Sequence, residues 1–204
     1  FSEKDNGLYD AMNRGIARAT GDVIGILNSD DFYYDENVLS EINNAMENQP
    51  IDCVYGNLMF VDADYTDRTV RLWKGSQHEK GAFLRGWHPA HPTFYARRKC
   101  YEMLGSFNTK YVVSADFELT LRFIEVAGLR NRYVNRYFVR MRMGGESTKS
   151  LRNIIRGNRS ILEALRDNGF SPSPLFLVRR LLPKFLDVVK RKVTLSNKSL
   201  ISSP

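Results

Sequence analysis

With 204 residues and 43% apolar composition the chain is long enough to bury a core, which argues against disorder and for one globular domain, or one domain plus an appendage. The net charge of +7 is concentrated in residues 171–204, where seven Lys/Arg face only Asp187, so the first 170 residues are nearly neutral and a basic nucleic-acid surface on the body is disfavoured. Cys53 and Cys100 match no close-spaced metal or redox pattern and no apolar run approaches ~20 residues, which argues against a disulfide scaffold and a membrane-spanning helix.

From Asn6 to Thr20, Leu8, Ala11, Met12, Gly15, Ile16 and Ala19 recur at three-and-four spacing. This predicts a helix capped by Asp5 or Asn6 and ended by Gly21. Asp22 to Leu27 is short, β-branched and without a polar face, which predicts a strand covered on both sides. Leu39, Ile42, Ala45 and Met46 mark a second helix that stops ahead of Pro50. Asp52 to Asp62 and Thr69 to Lys74 predict a hairpin around the polar turn "DADYTD", and Gly75 to Pro92 a loop with at most a short helix.

Ala115 to Ala127 fits either a strand or a helix, and its length and Gly128 favour helix. Arg132 to Met143 alternates Tyr137, Val139, Met141 and Met143 with Arg136, Arg140 and Arg142, a half-exposed strand with a basic face. Leu151 to Leu165 predicts another helix, ending at Asn168-Gly169. "SPSP" (171–174) reads as a linker between a body of residues 1–170 and a basic amphipathic helix with tail, 171–204, kinked at Pro183. Helices alternating with strands predict an α/β fold.

The chemistry centres on "NSDD" (28–31), two adjacent carboxylates directly after the apolar run "DVIGIL". Ligands of open α/β sheets bind at such strand ends, and two close acids repel unless a cation or donor compensates them. Mg²⁺ or Mn²⁺ needs only one or two protein carboxylates when phosphate oxygens complete its shell. Taken alone, the pair more often caps the following helix or turn. His88 and His91 have the spacing of a metal pair, but prolines follow each directly and no third nitrogen or sulfur ligand lies near, so zinc is disfavoured.

The stretch "SEKDNGLYDAMNRGIARATGDVIGILNSDD" resembles the central signature of the family 2 inverting glycosyltransferases of the GT-A fold. "HPTFYARR" (91–98), "SADFELTLRF" (114–123) and "GGES" (144–147) follow in that family's order. The resemblance implies a GT-A-like (Rossmann-like) mixed sheet flanked by helices, and a metal-dependent transfer of sugar from a nucleotide-diphosphate sugar, UDP-sugars favoured, to a hydroxyl acceptor. It further implies Asp31 as the ligand of Mn²⁺ or Mg²⁺, and Asp5, Asn13, Asp30, His91 and Ser147 as donor-side contacts. Asp116 matches the catalytic base, with Glu118 as a competitor that points elsewhere in helix or strand alike. The surroundings implied are bacterial surface glycan or glycolipid synthesis with a lipid-linked acceptor, in the cytoplasm or peripherally at the inner membrane face.

That family carries further strand-helix units ahead of the "SE-x-D" segment, so the sheet is expected to be N-terminally incomplete, and the start "FSEKDNGLYD" reads as a fragment or processed form. The alternative is therefore a non-catalytic nucleotide-binding or scaffolding fragment. A phosphohydrolase using the same acids is disfavoured for want of a second acidic cluster. The basic tail has two readings. It lies on anionic lipid, or it packs on the body or a second subunit with its charges solvated.

Overall fold

The computed structural model describes residues 3–47, 49–143, 151–178 and 180–181. "GGES", Ser147 and the predicted tail helix beyond Leu181 lie outside these residues. The elements run α1 (Leu8–Arg18), β1 (Val23–Gly25), β2 (Phe32–Tyr33), α2 (Val38–Glu47), β3 (Cys53–Val61), β4 (Thr69–Trp73), β5 (Tyr95–Arg97), α3 (Arg98–Leu104), α4 (Ala115–Thr120), β6 (Asn131–Arg142) and α5 (Leu151–Asp167). Single 3₁₀ turns at Phe83–Arg85 and His91–Thr93 interrupt the long predicted loop. α4 runs on as a π-helical turn over Leu121–Val126, ending ahead of Gly128 as expected.

The sheet is mixed, in the order β1-β5-β3-β6-β2, with β4 paired to β3 as the predicted hairpin. β3 and β6 are parallel, and the other pairings are antiparallel. Central position makes β3 buried along nearly its whole length, and its side chains alternate between two cores. Cys53 and Tyr55 join Ile16, Phe117, Phe123 and Leu165 on one face, while Val54 and Leu58 join Val38, Ile42 and Phe138 on the other. Helices thus cover both faces.

Gly56 marks a close approach in this centre. A Cβ there would lie 2.8 Å from the Arg136 carbonyl oxygen and 2.9 Å from the Phe138 ring. Gly56→Ala is therefore expected to destabilise the fold by about 1–3 kcal/mol, read by urea unfolding.

Three local expectations are corrected. β1 is not covered on both sides: Ile24 alone of its residues is buried, because the strand pairs only with β5 at one end of the sheet. Neither Asp5 nor Asn6 is the cap of α1. Gly7 occupies that position, Asp5 Oδ1 accepts from the Gly7 N–H at 2.9 Å, and Asp10 Oδ2 accepts from the Asn6 N–H at 2.9 Å, closing the first turn from inside the helix. Nor does Gly21 end α1, whose C-cap is Ala19. The basic face of β6 is largely engaged. Register shifts against β3 bury Phe138 and Val139 in succession, and Arg136 pairs with Asp35 at 2.7 Å and Glu41 at 2.6 Å, tying β6 to α2 and the turn before it.

Directly after "SPSP" the chain returns to the body. Phe176 is fully buried in the larger core, with Leu177 packed against it. For these residues the packing reading of the tail applies. Phe176→Ala is expected to cost about 3–5 kcal/mol of stability, which a thermal melt of the purified variant would register as a fall in Tm.

Candidate active site

Asp31 closes the turn that leaves β1. Its N–H donates to the Asn28 carbonyl at 3.1 Å, its Oδ2 accepts from Asn28 Nδ2 at 2.8 Å, and its Oδ1 accepts from the Arg142 N–H at 3.3 Å at the end of β6. Asp31 is buried, whereas Asp30 beside it is exposed. Burial pushes the Asp31 carboxyl up from its ordinary range, and the Asp30 charge adds to this against the hydrogen bonds from Asn28 and Arg142.

A half-compensated carboxylate with an exposed acid beside it is short of positive charge. Its hard oxygens are of the type Mg²⁺ or Mn²⁺ accepts when substrate phosphates supply further ligands. Among the described residues no group of three or more His, Cys, Asp or Glu side chains forms a cage of its own. Two hard carboxylates of this kind are a donor set that a cation would share with further oxygen ligands.

Asp116 belongs to a second group of contacts. It stands in the first turn of α4, whose N-cap is Ser114, and its Oδ1 accepts from the Tyr9 hydroxyl of α1 at 3.1 Å. The same hydroxyl lies 3.3 Å from the Val113 carbonyl oxygen. Burial, with the Asp116 charge adding to it, raises the Tyr9 phenol far above its usual value, so it remains a proton donor to the carboxylate.

Tyr9 stacks on Phe107 with ring centroids 5.4 Å apart, and His91 meets the other side of the same group, 5.4 Å from Phe107 edge to face. Burial pushes the His91 imidazole below its ordinary value and the Asp116 charge opposes this, leaving a neutral ring near the carboxylate.

Glu118 is otherwise engaged. It is buried and paired with Arg122 at 2.9 Å, and Arg122 also donates to the carbonyls of Leu104, Gly105 (3.0 Å) and Ser106 (2.8 Å). That network fixes the turn before Phe107. Asn13 holds the same turn from α1, its Nδ2 and Oδ1 each 2.8 Å from the Phe107 backbone O and N. Both polar ends of Asn13 are therefore used within the protein, and Asp5 is exposed on its own turn. His88 packs its ring against Trp73 and Phe117 at 5.1 and 5.7 Å.

Tyr9 and Phe107 are site residues that the motifs do not mark. Tyr9 was visible inside "GLYDAMN", whereas Phe107 carries no signal beyond being aromatic. Arg180 belongs by sequence to the basic tail, yet Asp116 is its electrostatic partner and its guanidinium carbon lies 5.5 Å from the Phe117 ring centroid.

The mixed sheet covered by helices on both faces is a GT-A-like α/β fold. Residues 1–104 match the family described as glycosyl transferase family 2, and the chain belongs to that family. Among curated relatives, the PGL/p-HBAD biosynthesis glycosyltransferase of Mycobacterium tuberculosis and Mycobacterium bovis is 29% identical over 134 residues, 65% of this chain and 50% of the relative. An uncharacterised glycosyltransferase of M. tuberculosis is 29% identical over 126 residues, 59% of this chain and 45% of that protein. The chain spans about half the length of the curated relatives it matches.

Solved structures share the fold. S. aureus TarS 1–349 superposes with a TM-score of 0.54 at 12% identity, covering 86% of this chain and 50% of that one. TarS 1–349 in complex with UDP gives 0.52 at 13% identity, covering 81% and 47%.

Proposed function

We propose that the parent protein is a metal-dependent inverting glycosyltransferase that moves a sugar from a nucleotide-diphosphate sugar to a hydroxyl acceptor. The observation that carries this reading is the division between the two acids, Asp31 buried at the end of a strand turn and Asp116 aimed at Tyr9 on α4. Asp31 would hold Mn²⁺ or Mg²⁺ against the donor diphosphate, and Asp30 beside it would contact the donor. When bound, that cation offsets the negative charge that develops on the leaving nucleoside diphosphate.

Asp116 takes the proton of the attacking hydroxyl, and single displacement inverts the anomeric carbon. Tyr9 orients that carboxylate, and neutral His91 offers a hydrogen bond on the sugar side without adding charge. Asp5, Asn13 and Ser147 are retained as donor-side candidates on the resemblance alone, and for Asn13 a binding role would require the Phe107 backbone to release its amide. The UDP named with one TarS structure favours a UDP-sugar. The acceptor proposed is a glycolipid or lipid-linked glycan, and the mycobacterial relatives are named for PGL/p-HBAD biosynthesis.

No helix among the described residues is long and apolar enough to cross a membrane. A cytoplasmic enzyme, peripheral at the inner membrane face through its basic tail beyond Leu181, is the arrangement proposed, with homo-oligomers left to the tail's apolar stripe and no nucleic-acid partner.

Saturation-transfer NMR of the full-length protein against a panel of nucleotide sugars tests the donor class. Transfer to the base and sugar protons of one member is expected, and none for any member would contradict the proposal. Tyr9→Phe removes the donor to Asp116 and should lower kcat about tenfold while the Tm moves by no more than about 4–8 °C, comparing steady-state rates with thermal melts.

A further inference from the structure

Beyond Phe176 the chain crosses the loop that follows the Phe83–Arg85 turn and brings Arg180 to the Asp116 side of the site. The approach is close, since a Cβ on Gly86 would lie 3.1 Å from Arg180 Cβ and 3.2 Å from its Cα. The guanidinium carbon stands 5.5 Å from the Phe117 ring centroid, and among the described residues the Asp116 charge acts on it. Arg180 Nε and Nη1 are buried and have no hydrogen-bond partner among the described residues.

Buried guanidinium donors without acceptors are costly, and a guanidinium fork is shaped to receive paired anionic oxygens. Burial lowers the Arg180 pKa to about 10 against the pull of Asp116, which still leaves a full positive charge at neutral pH. A charged guanidinium with its buried Nε and Nη1 donors unmet among the described residues can receive anionic oxygens from a ligand.

We propose that Arg180 is a substrate-binding residue that receives an anionic oxygen group of the acceptor, phosphate or carboxylate, beside the hydroxyl that Asp116 deprotonates. The proposal rests on the reading of Asp116 as the base. It assigns the anion to the acceptor because the guanidinium stands over the ring of Phe117, the residue after Asp116 in α4, whereas Asp31 is held by Asn28 and the Arg142 N–H. The basic tail thereby supplies a specificity residue to the site, and neutral acceptors would be the poorer substrates.

The test is ¹⁵N NMR of arginine Nε–H groups in the full-length protein, the Arg180 signal being identified by its loss in Arg180→Lys. Farnesyl phosphate, glucuronate and UDP with Mg²⁺ are titrated separately. The expected result is a saturable shift of the Arg180 signal with farnesyl phosphate or glucuronate, and an affinity for that probe about 10–100-fold weaker in Arg180→Gln. Arg180→Lys, which keeps the charge and stem but loses the fork, serves in its place should Arg180→Gln fail to fold, with a smaller loss expected.

A shift with UDP alone would overturn the assignment to the acceptor, and no shift with any of the three would overturn the site altogether. Backbone amides report UDP binding in the same samples. UDP that moves no resonance would count against the transferase reading, while the response of Arg180 to the other two probes still decides this one.

Discussion

Asp116→Asn is expected to lower kcat by about 10²–10⁴-fold, the usual worth of a positioned general base, while UDP affinity stays within about twofold of the parent. The substitution is nearly isosteric, and an amide oxygen can still accept from Tyr9, so the 3.1 Å contact to α1 and the fold around it should survive. What is lost is a group able to take the acceptor proton. Glu118 cannot substitute for it, because that carboxylate is buried against Arg122 and the turn at Leu104–Ser106. Glu118→Gln should accordingly show itself mainly in stability, since it leaves Arg122 half-buried with a neutral partner. Steady-state rates, calorimetric UDP binding and melting curves of the two variants separate these outcomes, and unchanged turnover in Asp116→Asn would remove the assignment.

Asp31→Asn should abolish the metal dependence of donor binding. The proposed cation loses its buried carboxylate, and such charge stabilisation is worth several kcal/mol, so Mn²⁺ retention in the presence of UDP should weaken by more than about 10²-fold. The fold is expected to tolerate the change. Burial already pushes the Asp31 carboxyl up, so the charged form is not what the turn requires, and an amide can keep a contact to Asn28 or to the Arg142 N–H. Electron paramagnetic resonance of free Mn²⁺ measures the loss directly. Asp30→Asn, at an exposed carboxylate, should cost less. Equal effects at the two positions would mean that burial does not distinguish their roles.

Elements with their own periodicity were legible from the chain. α2 could be read from Leu39, Ile42, Ala45 and Met46, and the β3–β4 hairpin from two apolar runs around one polar turn. β2 and β5 were not, because strands of two and three residues carry no period and exist through distant partners, Arg140 and Val139 for one, Val23, Ile24 and Cys53 for the other. The apolar side chains of β1 predict burial, but burial depends on neighbours, and its single pairing leaves Val23 half-buried and Gly25 exposed.

At the site, the different directions of Asp116 and Glu118 followed from helical geometry, and the structure gives them different partners, Tyr9 and Arg122. The self-contained use of Asn13 on the Phe107 backbone could not be read, since it depends on a contact 94 residues away. Arg180 was illegible for the same reason. Tail composition reports its charge, whereas its place beside Asp116 comes from Phe176 drawing the chain into the core.

Calorimetric titration of UDP into the full-length protein, with Mn²⁺ and then with EDTA, asks whether donor binding runs through a cation at Asp31. The expected result is binding with Mn²⁺ that is lost in EDTA and lost in Asp31→Asn. UDP binding of equal strength in both buffers, or none in either, would contradict it.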